Sequence, residues 1–336
     1  MKYEFELLVL GDADAIFICH YDENDAKHII LIDAGNVGDG ETIKKHLHKY
    51  YGTYKIDLAI CTHPDKDHKG GFFYLLNDDV VQIKDFWLTD PAQYIKDEDV
   101  KNASGKKAVR KVRDIWENPT DCSENLIDLA LDNCESVYSV LEGVSHDTLP
   151  ISILAPTVDY YTEVAKQMVA DYGVKTYDES DTEKYDEAAK VSDEDAKSVI
   201  DKENDDPSPY NASSLVVLYH PDDKTRVLVA GDANRASLTQ MIKDYPGLKE
   251  GVTKFKAPHH GSKHNLTTSI IDEIKPERSY ISASGNKKHP NSSIVYWLSK
   301  YGDVYSTHKC SGYIHSHVGM DGREGDKSAT PLKKKQ

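Results

Sequence analysis

No apolar run in the 336 residues approaches the ~18 that a membrane-crossing helix needs. The opening Met1-Lys2-Tyr3-Glu4-Phe5-Glu6-Leu7-Leu8 alternates like a strand and lacks the basic stretch and apolar run of a secretory leader. Cysteine is scarce: five residues, an odd number with no C-x-x-C pair, which argues against a disulfide framework and for a reducing compartment. Phenylalanine is scarce too, six against 21 tyrosines, a balance that suits half-exposed aromatic positions. Neither G-x-S-x-G nor a P-loop sequence is present, so no activated-serine elbow or phosphate-cradling loop organises the chemistry. Positive charge is in deficit. The net charge of −16 counts against a general affinity for nucleic acid, because phosphate binding is driven by Lys and Arg. Much of the excess lies between Tyr177 and Asp206, where acids outnumber lysines about three to one and the stretch reads as a solvated helical insertion or mobile loop. These absences leave a cytoplasmic protein with no membrane attachment as the expectation.

What is present reads as α/β. The length suits one large α/β domain with insertions or two ordinary ones, and 39% apolar residues are enough for a sizeable core. Strands are expected at Phe5–Leu10, Ala15–Cys19, His28–Asp33, Ile56–Cys61 and Asp85–Leu88, with helices over Glu41–Tyr51 and through Phe72–Asn77. His46 and His48 on the first helix read as surface residues. From about 91 to 135 the pattern turns helical, and Cys122 and Cys134 in it read as core or partly buried thiols. Further strands follow at Ser136–Leu141, Ile151–Leu154, Asn211–Leu218, Thr225–Ala230 and Tyr280–Ser284. His315 and His317 alternate on one face of a C-terminal strand with His308 and Cys310 just before, a pattern read as a solvent-facing hairpin in preference to a second zinc site.

The chain is organised around Thr62-His63-Pro64-Asp65-Lys66-Asp67-His68-Lys69-Gly70-Gly71. Two histidines and two aspartates fall on a loop at the end of a buried strand, where α/β proteins commonly place their chemistry. The spacing H-x-D-x-D-H can divide its ligands between two adjacent ions, His63 and Asp65 on one, Asp67 and His68 on the other. Gly70 and Gly71 would let a helix start close to the metals with no side chain in the way. The second half supplies further donors: Gly231-Asp232 at a strand end, a carboxylate suited to bridging two cations; Pro258-His259-His260-Gly261-Ser262; and His289-Pro290. Spacing alone does not decide which of His259 and His260 is a ligand.

Taken in order, His63/Asp65/Asp67/His68, Asn211-x-Ser213-Ser214-Leu215, Gly231-Asp232, Pro258-His259-His260-Gly261-Ser262 and His289-Pro290 resemble the metallo-β-lactamase superfamily. The chain is most similar to the branch typified by the hydrolase domain of the competence DNA-uptake channel protein, which has Asp where most members have the second His of HxHxDH, as at Asp65. The resemblance implies an αββα sandwich over residues 1–325, with insertions at about 91–135 and 158–206 outside it and a basic tail at 326–336. It also implies two divalent ions, zinc or manganese, held by His63, Asp65, Asp67, His68, Asp232 as the bridge, and His260. Asn211 stands where the superfamily usually has a mid-chain His. Oxygen donors at Asn211 and Asp65 make the first site harder and favour manganese.

The chemistry expected of such a constellation is hydrolysis by a hydroxide that the two ions generate, with Asp67 in the catalytic set and His259 or His289 protonating the leaving oxygen. Asn211 and Ser262 are candidate substrate contacts. Lys106, Arg110 and Arg113 share a helix face at i, i+4, i+7, with Lys107 and Lys111 beside them, a strip that can track a phosphate backbone or balance nearby acids. The leading expectation is a phosphodiesterase or nuclease with DNA as substrate. Alternatives are a hydrolase of small esters (lactone, thioester or phosphocholine ester) and an effector subunit gated by a protein partner bound to the insertions.

Overall fold

The computed structural model describes residues 1–95, 112–171, 191–286, 289–323 and 329–332. Thirteen strands in that portion form two sheets. The first runs β13-β1-β2-β3-β4-β5-β6 and the second β12-β11-β10-β9-β8-β7. In chain order the first-sheet strands are β1 (Lys2–Leu8), β2 (Ile16–Tyr21), β3 (Lys27–Ile32), β4 (Lys55–Ile60), β5 (Gln82–Leu88), β6 (Cys134–Ser139) and β13 (Tyr313–Val318). The second sheet takes β7 (Ile151–Ala155), β8 (Val216–Asp222), β9 (Thr225–Val229), β10 (Lys254–Lys256), β11 (Arg278–Ile281) and β12 (Asp303–Ser306). Each sheet is antiparallel on one side and parallel on the other, with β3 to β6 parallel in the first and β9 to β12 parallel in the second.

The two-residue period of β1 shows why the sheets stack. Tyr3, Phe5 and Leu7 point into a core that also holds Ile153, Val217, Tyr219, Val229 and Tyr280 from the second sheet. Glu4 and Glu6 point the other way. On that outer face Phe17, Leu31, Ala59 and Phe86 meet the helices α1 (Gly40–His46), α2 (Lys66–Leu76) and α3 (Leu126–Asn133). The outer face of the second sheet is covered by α5 (Asp193–Asp201), α7 (Arg235–Asp244), α8 (Thr268–Ile274) and α9 (Ser292–Leu298). Two more helices, α4 (Val158–Asp171) and the short α6 (Pro209–Ala212), add Val164, Met168 and Ala212 to the outer core of the first sheet. The layers are therefore helix, sheet, sheet, helix, the arrangement that the resemblance implies.

Several expectations are corrected. His46 is buried, because α1 turns it onto Glu6, with its ring 5.4 Å from that of Phe17 and 4.9 Å from that of Tyr313. His48 is exposed, as expected. Asn211 is in α6, not a strand, since Ser208 caps that turn and Pro209 sits at its start; the strand begins at Val216. Of the stretch from 91 to 135, residues 96–111 lie outside the described residues; the rest holds α3 and short 3-10 turns at Pro91–Gln93 and Arg113–Trp116, in keeping with the helical pattern. Cys122 is exposed, against expectation, whereas Cys134 is half-buried, as expected. The C-terminal strand is no solvent-facing hairpin: β13 pairs with β1, and the His315 side chain is buried 3.0 Å from Glu4. Glu4, Glu6 and His315 form a metal-like cluster, but the Arg323 guanidinium already fills it, 2.6 Å from Glu4 and 2.5 Å from Glu6.

Candidate metal centre

Parallel strands in both sheets bring their C-terminal ends to one edge, and the loops after β3, β4, β9, β10 and β11 meet there. The loop after β4 carries His63 and enters α2 at Asp65, whose carbonyl accepts from the amides of His68 and Lys69. Asp67 therefore sits in the first helical turn, where a negative charge is favoured. Gly70 and Gly71 lie inside α2, and their role differs from the expected one. A Cβ on Gly71 would come within 2.0 Å of the Ala34 carbonyl oxygen, and one on Gly70 within 2.4 Å of the Val37 nitrogen. They let α2 press against the loop after β3, which in turn delivers Asp33.

Two groups of donors converge, His63 with His68 and Asp232, and Asp67 with His68 and His260; within each group the donor atoms lie within 4.8 Å of one another. His63 Nε2 is 3.7 Å from Asp65 Oδ2 and 3.9 Å from Asp232 Oδ2. His68 Nε2 is 3.4 Å from Asp232 Oδ1 and 3.7 Å from Asp67 Oδ2, and His260 Nε2 is 3.2 Å from Asp67 Oδ2. All six expected ligands are thus at one place. The sharing differs from the simple split by spacing, because His68 belongs to both groups.

The donor atoms that face inward suit a cation. His63 Nε2 and His68 Nε2 are buried and have no hydrogen-bond partner, a state that costs ~1–3 kcal/mol per atom unless something else fills the lone pair. The opposite nitrogens are held. His68 Nδ1 donates to Asp33 Oδ2 at 2.7 Å, His260 Nδ1 to the Ser282 carbonyl at 2.9 Å, and His63 Nδ1 lies 3.1 Å from Thr62 Oγ1. A histidine fixed through Nδ1 presents Nε2 as a ligand, the usual support beneath a metal site. His260 therefore has the ligand geometry. His259 Nδ1 faces Asp206 Oδ2 at 2.9 Å instead.

Burial and neighbouring charges act against one another on these groups. Burial alone would favour neutral His68, but the carboxylates of Asp232, Asp33 and Asp67 outweigh it and hold its pKa well above the ordinary histidine value. Burial opposes ionisation of Asp67 and Asp232 as well. The neighbouring imidazoles, His68 and His260 for the first and His68 and His259 for the second, still keep both well below the usual carboxylate range. Backbone conformation is also unusual here: Asp33, His259 and His260 have φ of 59°, 45° and 53°, left-handed values that L residues other than Asn and Asp rarely adopt. The His259 amide is secured by donating to Asp232 Oδ1 at 3.0 Å.

The remaining expected residues divide. His289 is buried beside the centre, its ring 5.4 Å from that of His259 and 5.8 Å from that of His260. Asn211 is buried next to His259. Ser262 is buried, and its hydroxyl accepts from the His264 amide. Lys106 and Arg110 lie outside the described residues, while Arg113 makes a bidentate contact with Asp90, at 2.6 Å for the shorter bond.

Four residues escaped the sequence reading. Asp33 is fully buried and accepts from the Thr62 amide and hydroxyl, each at 2.8 Å, besides His68. Asp14 and Lys256 form a fully buried ion pair beneath the site, and the Ser282 hydroxyl donates to the same aspartate. Asp206, at the end of the acidic segment, reaches His259. An aspartate closing an apolar strand, as at Ile30-Leu31-Ile32-Asp33, is the one signal that could have found any of them.

No protein-family model matches the chain. Among curated proteins, ComE operon protein 3 of Bacillus subtilis (strain 168) is 29% identical over 105 residues, which is 31% of this chain and 13% of that protein. Among solved structures, a long form RNase Z from yeast aligns over 76% of this chain and 32% of that chain, at 10% identity and a TM-score of 0.33. The chain thus spans only a small part of either protein. Among the described residues no helix is long and apolar enough to cross a membrane.

Proposed function

We propose that the chain is a divalent-metal-dependent phosphodiesterase, a nuclease acting on DNA. The observation that carries this reading is the pair of donor groups joined at His68, with two buried imidazole nitrogens that face carboxylates but make no hydrogen bond. In it His63, Asp65 and Asp232, with the Asn211 amide oxygen as a candidate, would hold the first ion, Asp67, Asp232 and His260 the second, and His68 would stand between them as the imidazole common to both groups. Two such ions, when bound, make a nearby water acidic enough to attack at neutral pH and neutralise the charge of a phosphate. The rest falls to the chain. Asp33 and the Ser282 carbonyl orient the ligand imidazoles, and His259 and His289 are the groups available to protonate a leaving oxygen. The acidic and amide oxygens around the first ion favour manganese over an all-histidine zinc site.

One observation favours the small-ester reading: Arg113 spends its guanidinium on Asp90, so a phosphate backbone would have to compete for it. The test is cleavage of linear and circular DNA by chelator-stripped protein with manganese, zinc or magnesium restored, the double variant Asp67→Asn, His68→Ala serving as blank. Metal-dependent cutting absent from the blank supports the nuclease, and the circular substrate separates endo- from exonucleolytic action. Turnover of small esters without DNA cutting would replace the substrate class. Inactivity with both ions bound would point to gating by a partner.

A further inference from the structure

The acidic segment does more than carry charge, because its returning arm ends in the site. Helix α5 buries Ala196 and Ile200 in the outer core of the second sheet. At its last residue, Asp201 accepts from the Thr268 amide at 2.9 Å at the start of α8, and beyond it Asp205 accepts from the amides of Arg235 and Ala236 at the start of α7. The half-buried side of the arm is clamped by Arg235, which donates to the carbonyls of Ile200, Glu203 and Lys263 at 2.6–2.7 Å. These contacts place Asp206, 8% exposed, against the site.

A single oxygen of Asp206 gathers three groups. Its Oδ2 accepts from Asn211 Nδ2 at 2.8 Å and from Asn265 Nδ2 at 3.1 Å, and lies 2.9 Å from His259 Nδ1. A carboxylate can only accept, so it selects the orientation of each partner. Asn211 must turn its nitrogen to Asp206 and its oxygen away, and Asn211 Oδ1 is buried with no hydrogen-bond partner. His259 must carry its proton on Nδ1, which Asn265 Oδ1 also faces at 3.1 Å, and this leaves Nε2 as the atom on the far side of the ring.

We infer that Asp206 is a positioning residue of this site: the acidic arm inserts it to turn the Asn211 amide so that its oxygen is left as a metal ligand, and to hold, with Asn265, the proton of His259 on Nδ1. The inference rests on the proposed metal site for its consequence, but its geometry concerns this chain alone. Two readouts separate the two. In metal-free protein, the ¹⁵N shifts of the His259 ring should report Nδ1–H in the wild type and a partial shift toward Nε2–H in Asp206→Ala, where Asn265 Oδ1 alone still accepts from Nδ1. In calorimetric titration with Mn²⁺, Asp206→Ala should weaken the first ion by about 10–100-fold and leave the second unchanged, with Asp206→Glu restoring part of the loss. An unchanged tautomer would overturn the inference whether or not metal binds. So would equal loss of both ions and of thermal stability in the Ala and Glu variants alike, which is the signature of a merely structural role. If the wild type binds no ion, the site reading fails, and the tautomer alone decides the role of Asp206.

Discussion

Asp33 offers the sharpest perturbation of the centre because it touches two layers at once. It is fully buried, it accepts three hydrogen bonds, and one of them orients His68, the imidazole common to both donor groups. Removing it with Asp33→Ala would leave buried donors on Thr62 and His68 unanswered and should destabilise the fold by about 3–5 kcal/mol. Asp33→Asn is the more informative change. Asparagine tolerates the left-handed φ of 59° and fills the same volume, but its amide can accept on one side only. The expected stability loss is about 1.5–3 kcal/mol, the worth of one charge-assisted hydrogen bond. His68 would lose its fixed tautomer, and affinity for divalent metal should fall by about 10–100-fold. Urea unfolding measures the first effect and competition with a chromophoric chelator the second. An Asp33→Asn protein that is destabilised yet binds Zn²⁺ as the wild type does would refute the argument that Asp33 works through His68.

Three other outcomes follow from contacts away from the ligands. Gly71→Ala sets a Cβ 2.0 Å from the Ala34 carbonyl and should cost about 3 kcal/mol, the upper end for overpacking, visible as a lower urea midpoint. Lys256→Met leaves Asp14 buried without its lysine, held only by the Ser282 hydroxyl and the His68 imidazole 3.9 Å away, and should cost about 3 kcal/mol, part of which returns in the double variant with Asp14→Asn. Glu4 is pulled from 4.5 to about 2, against the effect of burial, by its hydrogen bond from His315 and the charge of Arg323. Its contribution is therefore fully present above pH 4.5 and lost as pH falls toward about 2, so Arg323→Gln should lower stability at neutral pH and flatten the acid limb in that window.

The cluster was legible because metal-type donors come as a spaced pattern at strand ends, and parallel strands on both sheets were enough to bring those ends together. Asp67 and His260, 193 residues apart, were legible for that reason. What lay beneath them was not. Asp14 and Lys256 meet across 242 residues, and a lysine in Phe255-Lys256-Ala257 has the look of an exposed strand position. Asp206 was hidden by its surroundings: in a run of acids, composition says solvated, whereas individual carboxylates here cap α7 and α8 and enter the site. His46 was misjudged because an amphipathic helix gives no sign that its partner strand turns two glutamates outward beneath it.

Metal content tests the central claim most directly. Protein stripped with a chelator, dialysed against Mn²⁺ or Zn²⁺ and freed of excess should retain two ions per chain by elemental analysis. His68→Ala, which removes the imidazole common to both donor groups, should retain at most one. A folded wild-type protein that retains no ion, or a His68→Ala variant that retains both, would contradict the assignment of this cluster as a two-metal centre.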